Sequence, residues 1–235
     1  MQEFLKGAQA IGLYVIPAVG IMLIARKLLK VPDELFRKIL HFITLGAYVP
    51  MVFGFDTWWI SASLAASLIV ILYPLLHFAG RIPAFSSFVN ERNKGEFKTS
   101  MVFAVGMMAF SIAVCWGMFK DRFLVLACIY AWGVGDAFAA LIGKRFGKHK
   151  ITWKFADNHK SYEGSFAMLI SSAAAVFAVL VIRGGTDILS CIIISLLAAT
   201  VCTLVELCSN NGLDTVTCPV AAMIVIIPLL KIAGG

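Results

Sequence analysis

Charged side chains are scarce in this 235-residue chain. Asp, Glu, Lys and Arg make up 14% of the residues, roughly half of their share in soluble domains. Hydrophobic residues make up 60%, and the mean hydropathy is +0.91. A soluble domain of this size cannot bury so much apolar surface, so the composition excludes a soluble enzyme, a disordered chain and a disulfide-stapled secreted module. It predicts an integral membrane protein.

Several short motifs are also absent, and each absence argues against a class of protein. No two of the six cysteines form a CxxC pair, which leaves zinc, haem and thiol-redox motifs without support. No GxxxxGK[ST] loop occurs, so a Walker-type nucleotide site is excluded. The first apolar run is followed directly by Arg26 and Lys27, not by a small-residue cleavage site, which indicates a membrane helix.

Apolar runs long enough to cross a bilayer recur along the chain. A spanning helix needs about 20 mostly apolar residues, and the runs are too long and too uniformly apolar for barrel strands. We therefore predict an all-α, polytopic transmembrane helical bundle of seven to eight spans, forming one domain over residues 1–235. The predicted spans are 8–25, 39–55, 58–79, 101–119, 123–142, 165–182, 188–205 and the shorter 218–233.

Basic residues are distributed unequally between the loops on the two sides of the predicted bundle. Fifteen of the 20 Lys and Arg residues lie on one side. Because cytoplasmic loops carry the excess of Lys and Arg, we predict that this side is cytoplasmic and that the N-terminus faces outward. The net charge of +7 then indicates orientation instead of nucleic-acid binding. The loops assigned to the basic side are 26–38, 80–100, 143–164 and 206–217.

The segment 133–165 combines an intramembrane carboxylate with small and basic residues. Asp136 lies about two turns before the predicted end of the fifth span, where an ionised group is costly and by default functional. Ala139, Gly143 and Gly147 share one helix face, which permits close approach of a ligand or of another helix. Carboxylates suit Mg²⁺, and cations suit phosphate oxygens. The cations here are Lys144, Arg145, Lys148, Lys150, Lys154 and Lys160.

Each of these features also has a structural interpretation. Asp136 could pair with a basic residue of another helix. Gly143 and Gly147 could serve helix packing alone. The lysines could contact anionic lipid headgroups. The combination of carboxylate, glycines and cations is more specific than any one of its parts.

Two further polar clusters are predicted on the same side of the membrane. In RKILH, Arg37 and His41 share a helix face, and Lys38 lies between them in sequence. A histidine at this position could act as a general base, bind phosphate, or form a simple interfacial hydrogen bond. Glu206 ends the seventh predicted span. Asp214 follows in a loop without Lys or Arg, which suits a metal contact or an attacking hydroxyl, although it could instead cap the last helix. We predict a cytoplasmic-facing site for a metal and a polyphosphate.

At these residues the chain resembles the CTP-dependent lipid-alcohol kinases, a family that includes phytol kinase, dolichol kinase and a CTP-dependent diacylglycerol kinase. The phytol kinase branch is the most similar in length. Where the family usually has Asp-Asn, this chain has Asp214-Thr215. The matching segments are RKILH (37–41), GDAFAALIGKRFGKHK (135–150), KSYEGS (160–165), and Glu206 with 214–219.

The resemblance implies transfer of the γ-phosphoryl group of CTP to a lipid alcohol, either an isoprenoid alcohol such as phytol or a polyprenol, or diacylglycerol. It implies Mg²⁺ on Asp136 and Asp214, with His41, Glu206 and Asp214 as candidate bases. It also implies kinship with phosphatidate cytidylyltransferases, the alternative function, whose usual His-Gly-Gly…Asp-Arg…Asp signature is absent here. The residues expected to bind the nucleotide are Arg37, Lys38, Gly135, Gly143, Lys144, Arg145, Gly147, Lys148, Lys150, Lys160, Ser161 and Glu163.

Two other classes fit the sequence less well. A transporter places its polar residues near the membrane midplane, often in repeated halves, whereas here they cluster near one interface and no repeat is present. A non-catalytic scaffold has no need of so many convergent ionisable groups. We therefore expect a multi-pass enzyme of a prokaryotic cytoplasmic membrane, or of an ER or plastid membrane, with its site on the cytoplasmic face.

Overall fold

The computed structural model describes residues 2–29, 31–79, 81, 96–152, 160–209 and 212–234. Within these ranges, eight helices are long and apolar enough to cross a membrane, the last of them containing most of the 218–233 run. The prediction of an all-α polytopic bundle is confirmed, and the protein is an integral multi-pass membrane protein in a lipid bilayer. The outward N-terminus and the single domain stay predictions. The chain divides into two compact units, Met1–Lys120 and Asp121–Gly235.

The first unit contains one span that is interrupted and another that changes helix type. A break at Ala47 divides the second span, and the fourth span ends in a π-helical segment, Ile112–Met118. Helix α1 packs closely on its neighbours, because the ring of Phe55 occupies the space where Gly7 lacks a side chain. The α-helices of this unit are α1 (Gln2–Leu29), α2 (Asp33–Gly46), α3 (Tyr48–Phe53), α4 (Trp58–Ala79) and α5 (Glu96–Ser111).

Polar contacts fix both ends of α1. At its start, the Glu3 carboxylate accepts hydrogen bonds from the backbone N–H groups of Asp56 and Thr57 at 3.0 and 2.8 Å. At its end, Arg26 Nη2 lies 2.8 Å from Asp33 Oδ1 at the start of α2. These contacts hold α1 beside α2 and α4 although most of its apolar surface faces outward.

The second unit is a ring of four helices. Each helix packs against the next one along the chain, and the last packs back against the first. At one end of the ring, Arg183 Nε lies 2.5 Å from Asp121 Oδ2, so the start of the first helix meets the end of the second there. The helices are α6 (Arg122–Phe146), α7 (Tyr162–Arg183), α8 (Ile188–Cys208) and α9 (Asp214–Ile232).

Small residues bring α6 and α7 into the most extensive helix contact of this unit. A Cβ placed on Gly135 would lie 2.2 Å from Ser172 Oγ, and one on Gly164 would lie 3.0 Å from the carbonyl oxygen of Ala139. The Ser172 hydroxyl also donates to the carbonyl oxygen of Ala131 at 2.5 Å. No larger side chain fits between the two backbones at these levels.

The helices extend beyond the predicted apolar runs, so several predicted loop boundaries are wrong. Arg37 and Lys38 lie within α2, Lys144 and Arg145 lie in the last turn of α6, and Asp214 opens α9. An apolar run marks the part of a helix that contacts lipid, whereas Lys, Arg and Glu are good helix formers that continue the helix past it. The predicted loop 80–100 lies largely outside the described residues.

Replacing Gly135 by Ala tests whether the close approach of α6 and α7 stabilises the protein. The added methyl group would overlap Ser172 Oγ, so we expect a loss of about 1–3 kcal/mol in the free energy of unfolding, the usual cost of overpacking. The measurement is thermal or denaturant unfolding in detergent. Gly20→Ala is the control, because a Cβ at Gly20 meets nothing within 4 Å. Equal stability of the two variants would contradict this account of the packing.

Candidate functional site

Three carboxylates come together in the second unit. Asp136 lies in the second half of α6, Glu206 in the last turn of α8, and Asp214 is the first residue of α9. Because α9 packs against both α8 and α6, the ring brings these three elements side by side. Asp136 and Asp214 lie near enough to Glu206 to act on it electrostatically. We call these three residues the acid cluster.

Lys160 binds the acid cluster from the segment just before α7. Its Nζ lies 3.0 Å from Glu206 Oε1 and donates to the backbone carbonyl oxygens of Glu206 and of Ser209, the latter at 3.0 Å. An ammonium group has three donors, and these three oxygens accept them. The charge also lies at the C-terminus of α8, where the helix dipole favours a cation. Lys160 therefore joins the start of α7 to the end of α8 and neutralises one carboxylate.

Trp132 binds another member of the acid cluster. Its indole Nε1–H donates to Asp214 Oδ2 at 3.1 Å, and its side chain is buried. No sequence motif indicates a role for Trp132, although it precedes Asp136 by one helical turn and so shares a face with it. Asp214 itself is not the N-cap of α9. That position belongs to Leu213, which makes no side-chain capping bond.

The acid cluster is recessed from the end of α6. Asp136 precedes Phe146, the last residue of the helix, by ten residues, which is about 15 Å at the helical rise per residue. Lys144 and Arg145 lie exposed in the last turn. Since α9 begins beside Trp132, α6 extends beyond the start of α9. The basic residues Lys144 and Arg145 therefore lie near the tip of α6.

Backbone pairing holds the base of the loop between α6 and α7. Lys150 and Ser161 form an isolated antiparallel bridge, in which the Ile151 N–H donates to the Lys160 carbonyl oxygen at 3.1 Å. This pairing fixes the position of Lys160 before α7 begins. Residues 153–159 of this loop, including the predicted cation Lys154, lie outside the described residues.

The KSYEGS segment opens α7 as predicted. Ser161 is the N-cap, and its Oγ accepts from the Gly164 N–H at 3.2 Å. Glu163 reaches back to the loop, where its carboxylate lies 2.7 Å from His149 Nδ1 and accepts from the His149 N–H. Glu163 thus fixes the base of the loop, and its expected contact with a nucleotide stays a prediction. The sequence does not predict the contact of His149 with Glu163, because this contact depends on how the two sides of the loop pair.

Three glycines predicted to bind the nucleotide lie in the contact between α6 and α7. Gly135 faces Ser172, while Gly143 and Gly147 face Ser161. A Cβ on Gly147 would lie 2.6 Å from Ser161 Oγ. Helix packing therefore accounts for the small size of these residues, and their contact with phosphate stays a prediction.

The RKILH cluster belongs to the first unit. Arg37 Nη1 lies 3.9 Å from Glu34 Oε2, Lys38 is buried, and His41 is half-buried on the same helix. The predicted convergence of this cluster with the acid cluster stays a prediction. Of the remaining predicted phosphate ligands, Lys148 and Lys150 are exposed just after α6.

The oxygen atoms of the acid cluster suit a hard divalent cation. Within the described residues, no group of three or more His, Cys, Asp or Glu side chains is arranged to hold a metal ion by itself. Mg²⁺, however, keeps several waters and is commonly bound by one or two carboxylates together with substrate phosphates. Asp136 and Asp214 are side chains of the kind that bind Mg²⁺ in this way.

Comparisons with known proteins do not assign this chain to a family. No family model, no curated protein and no solved structure matches the chain. Membership of the lipid-alcohol kinases therefore stays a prediction from the motifs, and the geometry of the second unit carries the functional proposal.

Replacing Lys160 by Met tests its role in holding the acid cluster. The change leaves the Glu206 carboxylate and two carbonyl oxygens, all partly buried, without their donor. We expect a loss of about 1–3 kcal/mol in the free energy of unfolding, the usual cost of unsatisfied acceptors. Adding Glu206→Gln removes the unpaired charge. The double variant should then be more stable than Lys160→Met alone.

Unfolding in detergent measures all of these variants. Lys27→Met is the matched control, because Lys27 is exposed near the end of α1 and its loss should change stability by less than about 0.5 kcal/mol. A Lys160→Met protein as stable as the Lys27→Met protein would show that the contacts of Lys160 contribute nothing to the fold.

Proposed function

We propose that the protein is a membrane-embedded kinase that transfers the γ-phosphoryl group of CTP to the hydroxyl of a lipid alcohol. The observation that carries the proposal is the acid cluster, whose carboxylates lie on three helices that pack together within a membrane-spanning unit. Ionisable groups at such positions are costly and commonly functional. The choice of CTP, and of an isoprenoid alcohol such as phytol or a polyprenol ahead of diacylglycerol, rests on the motif resemblance.

Asp136 and Asp214 would hold Mg²⁺. When bound, the metal neutralises charge on the β- and γ-phosphates and helps to align them. Glu206 suits this role less, because the ammonium of Lys160 at 3.0 Å already balances its charge. The two aspartates come from helices that pack against each other, so a rigid contact supports both of them.

Basic residues near the tip of α6 would bind the triphosphate. Lys144, Arg145, Lys148 and Lys150 are exposed on the last turn of the helix or just after it. Positioning and charge stabilisation are the main sources of catalysis in phosphoryl transfer, and several cations around one triphosphate supply both. The three donors of Lys160 bind protein oxygens. We assign Lys160 to the support of the acid cluster.

The lipid alcohol would enter from the bilayer with its hydroxyl at the depth of the acid cluster. Its oxygen attacks the γ-phosphorus of CTP, the bond from that phosphorus to the β,γ-bridging oxygen breaks, and lipid phosphate and CDP form. The hydroxyl proton passes to a base, for which Glu206 and Asp214 are the candidates within the second unit. The position of Asp136 supports this arrangement, because it lies within the apolar run 123–142 of α6 and not in its basic last turn.

Asp136→Asn should abolish transfer while leaving the fold intact. Loss of a metal-binding charge removes several kcal/mol of charge stabilisation, so we expect turnover to fall by at least about 100-fold. Turnover is measured with γ-labelled CTP in nanodiscs, and helical content by circular dichroism. Asp187→Asn is the control, because Asp187 caps the opposite end of α8 and should retain activity. Near-native turnover of Asp136→Asn would overturn the proposed role of Asp136.

The products distinguish the kinase from the alternative cytidylyltransferase. Purified protein is incubated with γ-labelled CTP or ATP and a panel of lipid alcohols that includes phytol, a polyprenol and diacylglycerol. A kinase releases CDP and transfers the label to the lipid. A cytidylyltransferase instead converts phosphatidate into CDP-lipid and releases labelled pyrophosphate. That second outcome, or label in none of the alcohols, would overturn the proposed function.

A further inference from the structure

We infer that His149 is a further binding residue for the triphosphate, which it contacts through Nε2 when its imidazole ring is protonated. The inference rests on the proposed function, because it concerns the nucleotide of that reaction. It begins from one pair of side chains at the base of the loop between α6 and α7, where His149 Nδ1 lies 2.7 Å from Glu163 Oε1.

The contact with Glu163 decides which ring nitrogen of His149 carries a proton. An ionised carboxylate only accepts hydrogen bonds, so Nδ1 is the donor. The same carboxylate accepts from the backbone N–H of His149 at 3.2 Å, and it therefore holds both the ring and the chain that bears it. The other nitrogen, Nε2, then has a lone pair in the neutral ring and an N–H group in the protonated ring.

The Nε2 atom is accessible to a ligand. The side chain of His149 is 78% exposed, and among the described residues its contacts are made by Nδ1 and by the backbone. The backbone itself is fixed, because the Tyr162 N–H donates to the His149 carbonyl oxygen at 3.1 Å. A ring that is oriented at one nitrogen and exposed at the other is preorganised for a partner from solution.

The charges beside His149 indicate that this partner is an anion. Lys148 is exposed, and Arg145 lies four residues before His149 with its guanidinium 5.3 Å from the ring centroid of Phe146. In the described part of the chain, neither of these two cations forms an ion pair with a carboxylate, whereas Glu163 binds His149. Cations at such a position suit phosphate oxygens. The described charged groups of this segment are Glu163, Lys144, Arg145, Lys148 and Lys150.

Protonation of His149 makes the affinity for a polyphosphate depend on pH. At about pH 6 the ring adds a positive charge and an N–H donor, whereas at about pH 8 it presents a lone pair to the anion. Binding therefore becomes tighter as the pH falls. Because the site is exposed, we expect His149 to contribute about 5–10-fold to the affinity in the acidic buffer.

His149→Asn tests this contribution. The side-chain amide nitrogen of Asn takes the place of Nδ1, so the variant keeps a donor for Glu163 and lacks Nε2. The probe is magnesium-free tripolyphosphate, and calorimetry in a non-ionic detergent gives its affinity in acidic and alkaline buffers of equal ionic strength. We expect the variant to bind about 5–10-fold more weakly than the native protein in the acidic buffer, and equally in the alkaline buffer. Comparison within each buffer cancels the titration of the probe.

Two further variants complete the test. His149→Gln places an amide near Nε2 and loses the donor to Glu163, so it also lacks the titrating charge and should lose more affinity in the acidic buffer than in the alkaline one. A purely structural clamp predicts equal losses in both buffers. His77→Asn is the control, because His77 is an exposed histidine of the first unit whose Nε2 lies 3.1 Å from Arg81 Nη2. It should bind the probe as the native protein does.

The outcomes separate this inference from the proposed function. Native affinity of His149→Asn in both buffers, or a native protein that binds no tripolyphosphate, overturns the role of His149, whatever the enzymatic activity. A loss confined to the acidic buffer, in a protein that phosphorylates none of the lipid alcohols, supports the role of His149 and overturns the kinase. If His149→Asn does not fold, His149→Gln decides the question, because equal losses in the two buffers overturn the inference.

Discussion

The close contact between α6 and α7 is the constraint on which the rest of the second unit depends. Gly135 and Gly164 let the two backbones approach, and Ser172 then bonds across the contact. This approach sets the start of α7 beside the end of α6, and the bridge between residues 150 and 161 fixes Lys160 there. From that position the lysine reaches the end of α8. Lys160, which supports the acid cluster, is therefore positioned by small uncharged side chains and by backbone pairing.

Polar contacts differ between the two ends of the helices of the second unit. At one end, Arg183 Nε lies 2.5 Å from Asp121 Oδ2, so one ion pair joins α6 to α7. At the other end, Lys160 Nζ lies 3.0 Å from Glu206 Oε1, and the Trp132 indole donates to Asp214 Oδ2 at 3.1 Å. Contacts of the acid cluster therefore join α6, α8 and α9 to the segment just before α7.

The sequence predicts the spans well because lipid imposes a minimum length of apolar helix. It predicts Asp136 as a functional candidate for the same reason, since a carboxylate within an apolar run is costly. It does not predict that Trp132 binds Asp214, because that contact depends on α9 returning to α6 across 82 positions of sequence. The ends of the apolar runs also predict helix ends that are too early, since Lys144 and Arg145 continue α6 beyond its apolar part.

Because α6 extends beyond the acid cluster, a molecule that approaches from the C-terminal end of α6 meets its residues in a fixed order. An anion that approaches along the helix meets Lys144 and Arg145 first, and meets Asp136 about 12 Å further on. Under the proposed function, the phosphates of a nucleotide would therefore meet the basic tip of α6 before the metal that they carry reached Asp136.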